Sequence, residues 1–297
     1  MSDGTGRHSE DGLARRSEDG LARAGPAHRD DPRLVEEAWT RVAERYAAYW
    51  SPRFRPYLLD AVGALRPPPE GPLAVPGCGP GEEVLLLAEQ FPGRPIIATD
   101  PSTGMLRILW SALRDRGIGQ VVASSGGAES LSAFVRQAAG VLSSFSLQLL
   151  PNPLAALADW SRALRPGGRI AALFWPRKPE DSAVGRLHEA IETGTGERRP
   201  SWEDTALEAL PRIGLRLVSD TTVAHEMVHA SPEEYFDEIV RSGPLQALEM
   251  RAGRDTVERC RAAWLAAETS SARPWKHAPP ARLWELERLE GFEPDHH

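Results

Sequence analysis

Short apolar runs and longer amphipathic segments alternate through the middle of the chain. Five runs have the length of β-strands, and four segments between them repeat apolar residues at helical spacing. Parallel strands covered by helices on both faces are apolar throughout, so this alternation predicts an α/β fold with a parallel sheet. The predicted strands span 72–75, 95–100, 120–124, 140–145 and 169–175, and the predicted helices between them span 82–91, 102–117, 129–139 and 152–164.

The two ends of the chain follow other patterns. Residues 1–32 repeat a charged, Gly-containing unit with few apolar side chains, and we expect a disordered tail because such a segment cannot bury enough surface to offset its ordering entropy. Two N-terminal helices are predicted over 33–50 and 54–65, before a run of three prolines. Beyond Trp175 the pattern predicts a helix over 203–214, a sixth strand over 215–229, helices over 231–251 and 255–268, and a returning final strand over 281–293.

Composition and charge restrict the class of protein. The formal net charge of −7 over 297 residues argues against a general nucleic-acid binder. Two cysteines, Cys78 and Cys260, are too few for a disulfide scaffold or a cysteine-rich zinc site. No apolar run approaches the ~18 residues that a membrane span needs, and the N-terminus lacks the apolar core of a secretory signal. We therefore expect a cytoplasmic protein that binds neither nucleic acid nor membrane; its oligomeric state stays open.

A glycine-rich turn follows the first predicted strand. Gly77, Gly79 and Gly81 lie between that strand and a helix, so the turn can bring bare backbone close to a ligand. A tight turn without any ligand would show the same three glycines. Asp100 favours a ligand, because it ends the next strand, where a carboxylate can accept both hydroxyl groups of a ribose.

The two glutamates after the turn restrict the ligand. A helix N-terminus normally attracts phosphate, but Glu82 and Glu83 would compete with a pyrophosphate for the free N–H groups and repel it. The pattern therefore favours a nucleoside that carries a cationic group over NAD or ATP.

This sequence resembles the class I S-adenosylmethionine-dependent methyltransferases of the small-molecule branch. The resemblance covers about residues 36–270, and several motifs occur in the family's order. It implies S-adenosylmethionine as the cofactor and a Rossmann-like, seven-stranded, mostly parallel sheet with helices on both faces and one antiparallel strand near the edge. The motifs are a cap helix in 39–50, the cofactor loop in 74–81, the ribose-binding strand end in 96–106, the adenine-side loop in 126–131, and the fourth through fifth strands in 141–175.

The resemblance also implies a set of cofactor-binding residues. The glycines would lie under the methionine and ribose, Asp100 would hold the ribose hydroxyls, and Tyr46 on the cap helix would approach the cofactor carboxylate. The remaining residues flank the adenine or follow the fourth strand. The full predicted set is Tyr46, Gly77, Cys78, Gly79, Gly81, Asp100, Pro101, Met105, Ala128, Glu129, Ser143, Ser144 and Gln148.

The resemblance further implies how the chain divides. A methyltransferase domain would span 33–297, with N-terminal cap helices in 33–66, a cofactor-binding core in 72–176, and a substrate cap with the last strands in 177–297.

Two positions depart from the family pattern. Related sequences often carry an acid two residues before the first glycine, where this chain has Val75, and an Asp on the adenine side, where it has Gly127. Each missing carboxylate removes a hydrogen bond worth about 1–3 kcal/mol if the partner stays buried and unpaired. Glu82, Glu83 or Glu129 could compensate.

Side chains for catalysis are not marked by a motif. Methyl transfer is a displacement at a carbon already activated by sulfur, so alignment alone can supply about 7–11 kcal/mol and a general base is an optional addition. His225 and His229 after the sixth strand, and His188 after the fifth, are candidate bases, although each also suits a packing or surface role. Their spacing does not match a zinc-protease helix, and we predict no metal site.

Four aromatic residues are candidates for the wall of an acceptor pocket, although plain core packing would require the same side chains. They are Trp175, Trp202, Tyr235 and Trp264. Cys78 is interpreted as a packing residue within the glycine turn and not as a nucleophile.

Methyl transfer from S-adenosylmethionine to a small-molecule acceptor, in secondary metabolism, is therefore the leading hypothesis. The departures at Val75 and Gly127 motivate an alternative, a methyltransferase-fold protein that has lost catalysis and serves as a partner or scaffold. A nicotinamide oxidoreductase ranks lower, because Glu82 and Glu83 oppose a pyrophosphate.

Overall fold

A computed structural model describes residues 31–65, 68–177, 181–197 and 201–292 of the chain. The predicted tail lies almost wholly outside these ranges; of its residues, Asp31 and Pro32 are described, and they cap and begin the first helix. The strands are β1 (Leu73–Pro76), β2 (Ile96–Asp100), β3 (Val121–Ser125), β4 (Ala138–Ser144), β5 (Leu164–Phe174), β6 (Leu215–Ala224), β7 (Met227–His229), β8 (Trp275–His277) and β9 (Pro280–Arg288).

The main sheet has seven strands in the order β3-β2-β1-β4-β5-β9-β6. The pairs from β3 to β5 are parallel, whereas β9 runs antiparallel to both β5 and β6. The predicted fold class is confirmed, including the antiparallel strand next to the edge. Because the order reverses between β1 and β4, the carboxyl ends of these two strands open a crevice in which α/β proteins bind ligands.

Helices cover both faces of the sheet. Successive strand residues point to opposite faces, so Ile170 and Phe174 pack with Trp160 and Trp284 in one core, while Leu173 joins the other. The helices are α1 (Pro32–Ala64), α2 (Glu82–Gln90), α3 (Thr103–Asp115), α4 (Pro153–Ala163), α5 (Ala183–Thr195), α6 (Glu203–Ala209), α7 (Pro232–Val240), α8 (Gly243–Ala252) and α9 (Arg254–Ala267), with short 3-10 helices at Ala128–Ala133, Leu147–Leu149 and Leu210–Ile213.

The N-terminal region is one helix, and the predicted division into two helices is wrong. α1 continues through Pro52 and Pro56 for 33 residues. A proline in a helix interior costs about 3 kcal/mol. Trp50 and Tyr57 on either side are buried at 2% and 0% exposure, so tertiary packing holds the helix together where local propensity would end it.

Further elements differ from the sequence-based prediction. The helix expected over 231–251 is two helices, α7 and α8. The helix expected over 129–139 is only the short 3-10 helix Ala128–Ala133, because β4 already begins at Ala138. The sixth strand expected over 215–229 is two strands, and β7 pairs with β8 in a separate two-stranded sheet. Helix α5 was not predicted. The returning final strand is present as β9.

Candidate cofactor and acceptor site

The glycine turn is fixed to the end of the neighbouring strand. The backbone N–H groups of Gly77 and Cys78 both donate to the carbonyl of Thr99, at 2.7 and 2.9 Å. The N–H of Gly79 donates to Asp100 Oδ2 at 2.8 Å. Parallel pairing of β1 with β2 brings these residues together, which is why the turn and a carboxylate 19 residues beyond its last glycine form one site.

The three glycines of the turn have different neighbours. All have positive φ, at +70° for Gly77, +51° for Gly79 and +92° for Gly81, so each favours glycine on backbone grounds. A Cβ at Gly77 would lie 2.8 Å from Ser146 Cβ, and one at Gly81 would overlap Leu109 on α3. A Cβ at Gly79 would have no protein atom within 4 Å. Two glycines therefore allow close packing of the protein, whereas Gly79 faces open space.

Asp100 is buried at the last position of β2. Its Oδ1 accepts the N–H of Ser102 and its Oδ2 accepts that of Gly79, both at 2.8 Å. Each oxygen keeps a further lone pair for a ligand donor. Burial raises the pKa of Asp100 to about 6, although its two backbone hydrogen bonds act in the opposite direction.

A cavity of about 760 Å³ lies over the turn and the carboxyl ends of β1, β2 and β4. Such a volume suits a nucleoside-sized ligand. The predicted residues that line it are Tyr46, Gly77, Cys78, Gly79, Asp100, Pro101, Met105, Ala128, Glu129, Ser144 and Gln148.

Gly81 and Ser143 do not line this cavity. Gly81 packs against Leu109 of α3. Ser143 is fully buried, and its hydroxyl lies 2.8 Å from that of Ser146. Ser146 also donates to the carbonyl of Pro76, so these two serines connect the end of β4 to the glycine turn. Gly81 and Ser143 therefore lie behind the cavity wall, whereas Ser146 lines the cavity.

The carboxylate of Glu129 occupies the space beside Gly127. A Cβ added at Gly127 would lie 3.0 Å from Glu129 Oε2 and 3.1 Å from its Cδ. The Glu129 carboxylate therefore lies next to the position at which related sequences often carry an acid. Both residues line the cavity.

The wall beneath α1 is acidic. Glu82, Glu83 and Asp100 all line the cavity. Glu82 forms an ion pair with Arg55. Burial raises the pKa of Glu83 to about 8, and the nearby carboxylates of Asp100 and Glu82 contribute to the increase. Burial, together with Glu83 and Asp100, also raises the pKa of Tyr46.

Cys78 lies in the turn and is buried, and burial raises the pKa of its thiol well above the ordinary value. A thiol in this state is a weak nucleophile. The environment agrees with the packing role that the sequence suggests.

A second cavity of about 220 Å³ adjoins the first under α5, α7 and α8. The two cavities share lining residues, among them Trp39, Tyr46, Phe54, Phe145 and Gln148. The rings of Phe145 and Trp175 stack with centroids 4.4 Å apart. This second cavity has the position and the largely apolar lining of an acceptor pocket.

Two of the three histidines named as candidate bases, His225 and His229, do not line either cavity. His225 Nε2 lies 2.6 Å from Asp60 Oδ2. His229 is 1% exposed, and its ring nitrogens lie 2.7 Å from the Tyr49 hydroxyl and 3.1 Å from His277 Nε2. Burial, with a contribution from His277, lowers the pKa of His229 to about 3, so this imidazole is a weak base.

The other histidine candidate and most of the aromatic candidates do lie near the ligand space. His188, Trp175 and Tyr235 line the second cavity and Trp202 lines the first. Trp264 is core, since it is fully buried and its indole N–H donates to the carbonyl of Ala183 at 3.1 Å.

Sequence reasoning missed several lining residues. Phe54 lies eight residues after Tyr46 on α1, so helical spacing could have identified it, and Phe145 directly follows the predicted Ser144. Arg177 and His277 also line the second cavity, and no local pattern marks them.

No helix within the described ranges is both long and apolar enough to cross a membrane. Those same ranges contain no group of three or more His, Cys, Asp or Glu residues suited to holding a metal ion.

Comparison with known protein families gives a match over the middle of the chain. The profile of a family described as a methyltransferase domain matches residues 76–168. This segment includes the glycine turn, the ribose-side strand end and the fourth strand.

Curated proteins match part of the chain. A trans-aconitate 2-methyltransferase of Rhizobium meliloti is 30% identical over 131 residues, covering 43% of this chain and 48% of that protein. A nocamycin O-methyltransferase of Saccharothrix syringae is 30% identical over 44% of this chain and 47% of its own length. A malonyl-[acyl-carrier protein] O-methyltransferase of Methylococcus capsulatus is 36% identical over 38% of this chain and 40% of its own length. The chain thus spans about half the length, or less, of the curated relatives it matches.

Solved structures share the fold over most of the chain. The YcgJ protein from Bacillus subtilis aligns with a TM-score of 0.58 at 16% identity, over 79% of this chain and 98% of that one. The [4+2]-cyclase SpnF aligns with a TM-score of 0.55 at 18% identity, over 87% and 93%. At these identities the likeness is one of fold.

Proposed function

We propose that this protein, whose residues 76–168 match a family described as a methyltransferase domain, is a class I enzyme that transfers the methyl group of S-adenosylmethionine to a small molecule. The observation that carries the proposal is the open space over Gly79 next to a buried carboxylate. Bare backbone faces a cavity there, and Asp100 keeps lone pairs for a diol. The residues present fit this cofactor.

Each part of the cofactor has a counterpart in the chain. Asp100 accepts the ribose hydroxyls, and Glu129, beside Gly127, is the acceptor on the adenine side. Tyr46 donates its hydroxyl hydrogen to the cofactor carboxylate. The acidic wall attracts a cation and repels a diphosphate, which disfavours a nicotinamide dinucleotide.

The chain contributes alignment and exclusion of water. When bound, S-adenosylmethionine supplies a methyl group that positive sulfur has already activated. The shared rim of the two cavities, which includes Phe54 and Phe145, holds the acceptor against that group. Placing the two reactants within one enclosed site can account for about 7–11 kcal/mol of the barrier.

The acceptor is an apolar molecule with an oxygen nucleophile, in keeping with the largely apolar lining of the second cavity. Burial lowers the pKa of His229 to about 3 and that of His277 to about 4, so both are weak bases, and His188 is the candidate base that remains in the lining of the second cavity. Arg177 and Arg251 line the second cavity together with Glu192 and Glu197, and Arg251 forms an ion pair with Glu197. Two of the curated relatives are named as O-methyltransferases, which supports this choice, and secondary metabolism stays a prediction.

Calorimetry with S-adenosylmethionine, S-adenosylhomocysteine and NAD⁺ tests the cofactor. We expect saturable binding of the first two and none of the third. Binding of NAD⁺ in preference to S-adenosylmethionine would refute the proposal.

Transfer is tested with S-adenosylmethionine labelled in its methyl group. The acceptors are a panel of aromatic and branched aliphatic carboxylic acids, each paired with its primary amide and alcohol. Labelled product that base hydrolysis releases as methanol identifies a methyl ester. Binding of the cofactor without labelled product from any acceptor would favour the scaffold alternative.

A further inference from the structure

Within the described residues, the buried carboxyl group of Glu83 in the cofactor cavity has no cationic partner. Glu83 lies in the first turn of α2, lines the cavity and is 6% exposed. Its neighbour Glu82 pairs with Arg55, but in the described parts of the chain no arginine, lysine or histidine pairs with Glu83. Its one hydrogen bond is to its own backbone N–H.

Such a group is costly in a folded protein. A buried carboxylate without a cation or several donors is strongly disfavoured, and the usual outcome is protonation. The raised pKa of Glu83, near 8, has this cause, and the neighbouring carboxylates of Asp100 and Glu82 increase it. The side chain therefore suits a site that a cation with N–H donors enters.

We propose that Glu83 binds the ammonium group at the amino-acid end of the cofactor. This inference rests on the proposed function. Glu83 takes the part of the carboxylate that this chain lacks at Val75, and it does so from the helix after the turn instead of the strand before it.

The cofactor has two cationic groups, and donor chemistry distinguishes them. A sulfonium has no N–H or O–H, so it would leave the lone pairs of a buried carboxylate unsatisfied. An ammonium offers three donors, and charge-assisted hydrogen bonds of this kind are about twice as strong as neutral ones. Tyr46 is near enough for Glu83 to raise its pKa, so its hydroxyl can serve the cofactor carboxylate beside the ammonium.

A purely structural role is the competing explanation. Acidic residues in the first turn of a helix interact favourably with its N-terminus, typically by less than the cost of burying a charge. In that case replacement of Glu83 would alter stability and would leave ligand affinity unchanged.

The test compares three adenosyl ligands by calorimetry on wild type, Glu83→Gln and a matched control. Glu89→Gln is the control, because Glu89 lies on the same helix but is exposed and outside the cavity. S-adenosylmethionine has both cations, S-adenosylhomocysteine has only the ammonium, and 5′-methylthioadenosine has neither.

We expect Glu83→Gln to lower the affinity for S-adenosylmethionine and for S-adenosylhomocysteine by a similar factor, roughly tenfold to hundredfold, because a charged hydrogen-bond partner is lost. The affinity for 5′-methylthioadenosine should stay within about twofold, and Glu89→Gln should leave all three unchanged. The Gln variant should fold, because a neutral amide at this buried position costs less than a carboxylate. Its thermal midpoint checks this.

Other patterns of loss would overturn the inference. A loss confined to S-adenosylmethionine would assign Glu83 to the sulfonium. An equal loss for 5′-methylthioadenosine would show that the substitution disturbs the turn, and no loss at all would leave only the structural role. If wild type binds none of the three ligands, the proposed function itself fails, and that result is separate from these.

Discussion

Replacing Gly79 with alanine separates a ligand cradle from a simple turn. The change adds one methyl group where no protein atom lies within 4 Å, at a backbone φ of +51°. The left-handed conformation costs an L-residue about 1–2 kcal/mol. At about 2–4 °C per kcal/mol for a domain of 150–250 residues, the thermal midpoint should fall by roughly 2–8 °C.

The effect on affinity should be larger than this strain suggests. If the cofactor lies on the bare backbone of Gly79, the new methyl occupies its space, and overpacking of one methyl typically costs about 1–3 kcal/mol. At about 1.4 kcal/mol per tenfold, the dissociation constant for S-adenosylmethionine should rise roughly 5- to 150-fold.

Gly93→Ala is the matched control. Gly93 follows α2 with a φ of +79°, and a Cβ there would also meet no atom within 4 Å, but the residue lines neither cavity. Both variants should lose similar stability by differential scanning calorimetry, and only Gly79→Ala should lose affinity by titration. The reasoning is refuted if Gly79→Ala binds S-adenosylmethionine as wild type does, or if both variants lose affinity equally.

Three further predictions use side chains around the two cavities. The pKa of Glu83 is raised to about 8 and that of Asp100 to about 6, so the folded ligand-free protein binds more protons than the unfolded chain. These two groups therefore lower the free energy of unfolding as pH rises from about 4 to 8. In denaturant titrations across that range, the free energy of unfolding of Glu83→Gln should increase relative to wild type as pH rises, and a constant difference would contradict this. Tyr49→Phe removes the hydroxyl that lies 2.7 Å from buried His229 and should lower the free energy of unfolding by about 1–3 kcal/mol. The affinity for S-adenosylmethionine should stay the same, because neither residue lines a cavity. A loss of affinity would contradict the separation of the Tyr49–His229 pair from the cofactor site. Trp175→Ala, in the second cavity, should raise the KM of an identified acceptor about tenfold and leave cofactor affinity unchanged, as initial rates and titration would show.

The cofactor half of the site could be predicted because its parts are close in the sequence. Gly79 lies in the turn after β1 and Asp100 ends β2, the adjacent parallel strand of one β-α-β unit, and the distance between them follows from that unit alone. The sequence could not tell that Gly77 and Gly81 accommodate Ser146 and Leu109, since those contacts depend on the packing of other elements.

The acceptor half could be predicted only in part: Trp175 and Tyr235 could be identified, but its wall comes from segments far apart in the chain. Residues of α1 meet α5, α7 and the β7–β8 pair there, and no periodicity links them. The expected sixth strand shows the difficulty. His229 looked like a strand end near the site, but it lies in β7, where Tyr49, 180 residues away, binds it in the core.

The missing acids at Val75 and Gly127 show where a motif is weaker than the chemistry it represents. A ligand requires a carboxylate at a point in space, and different positions in the sequence can reach that point. Glu129 Oε2 lies 3.0 Å from where a side chain at Gly127 would begin, and we propose that it serves in place of the missing acid. Glu83 can bind the amino-acid end of the cofactor because the first turn of α2 faces the same cavity as the end of β1. A substitution in the motif therefore argues for loss of binding only when no neighbouring carboxylate faces the same space.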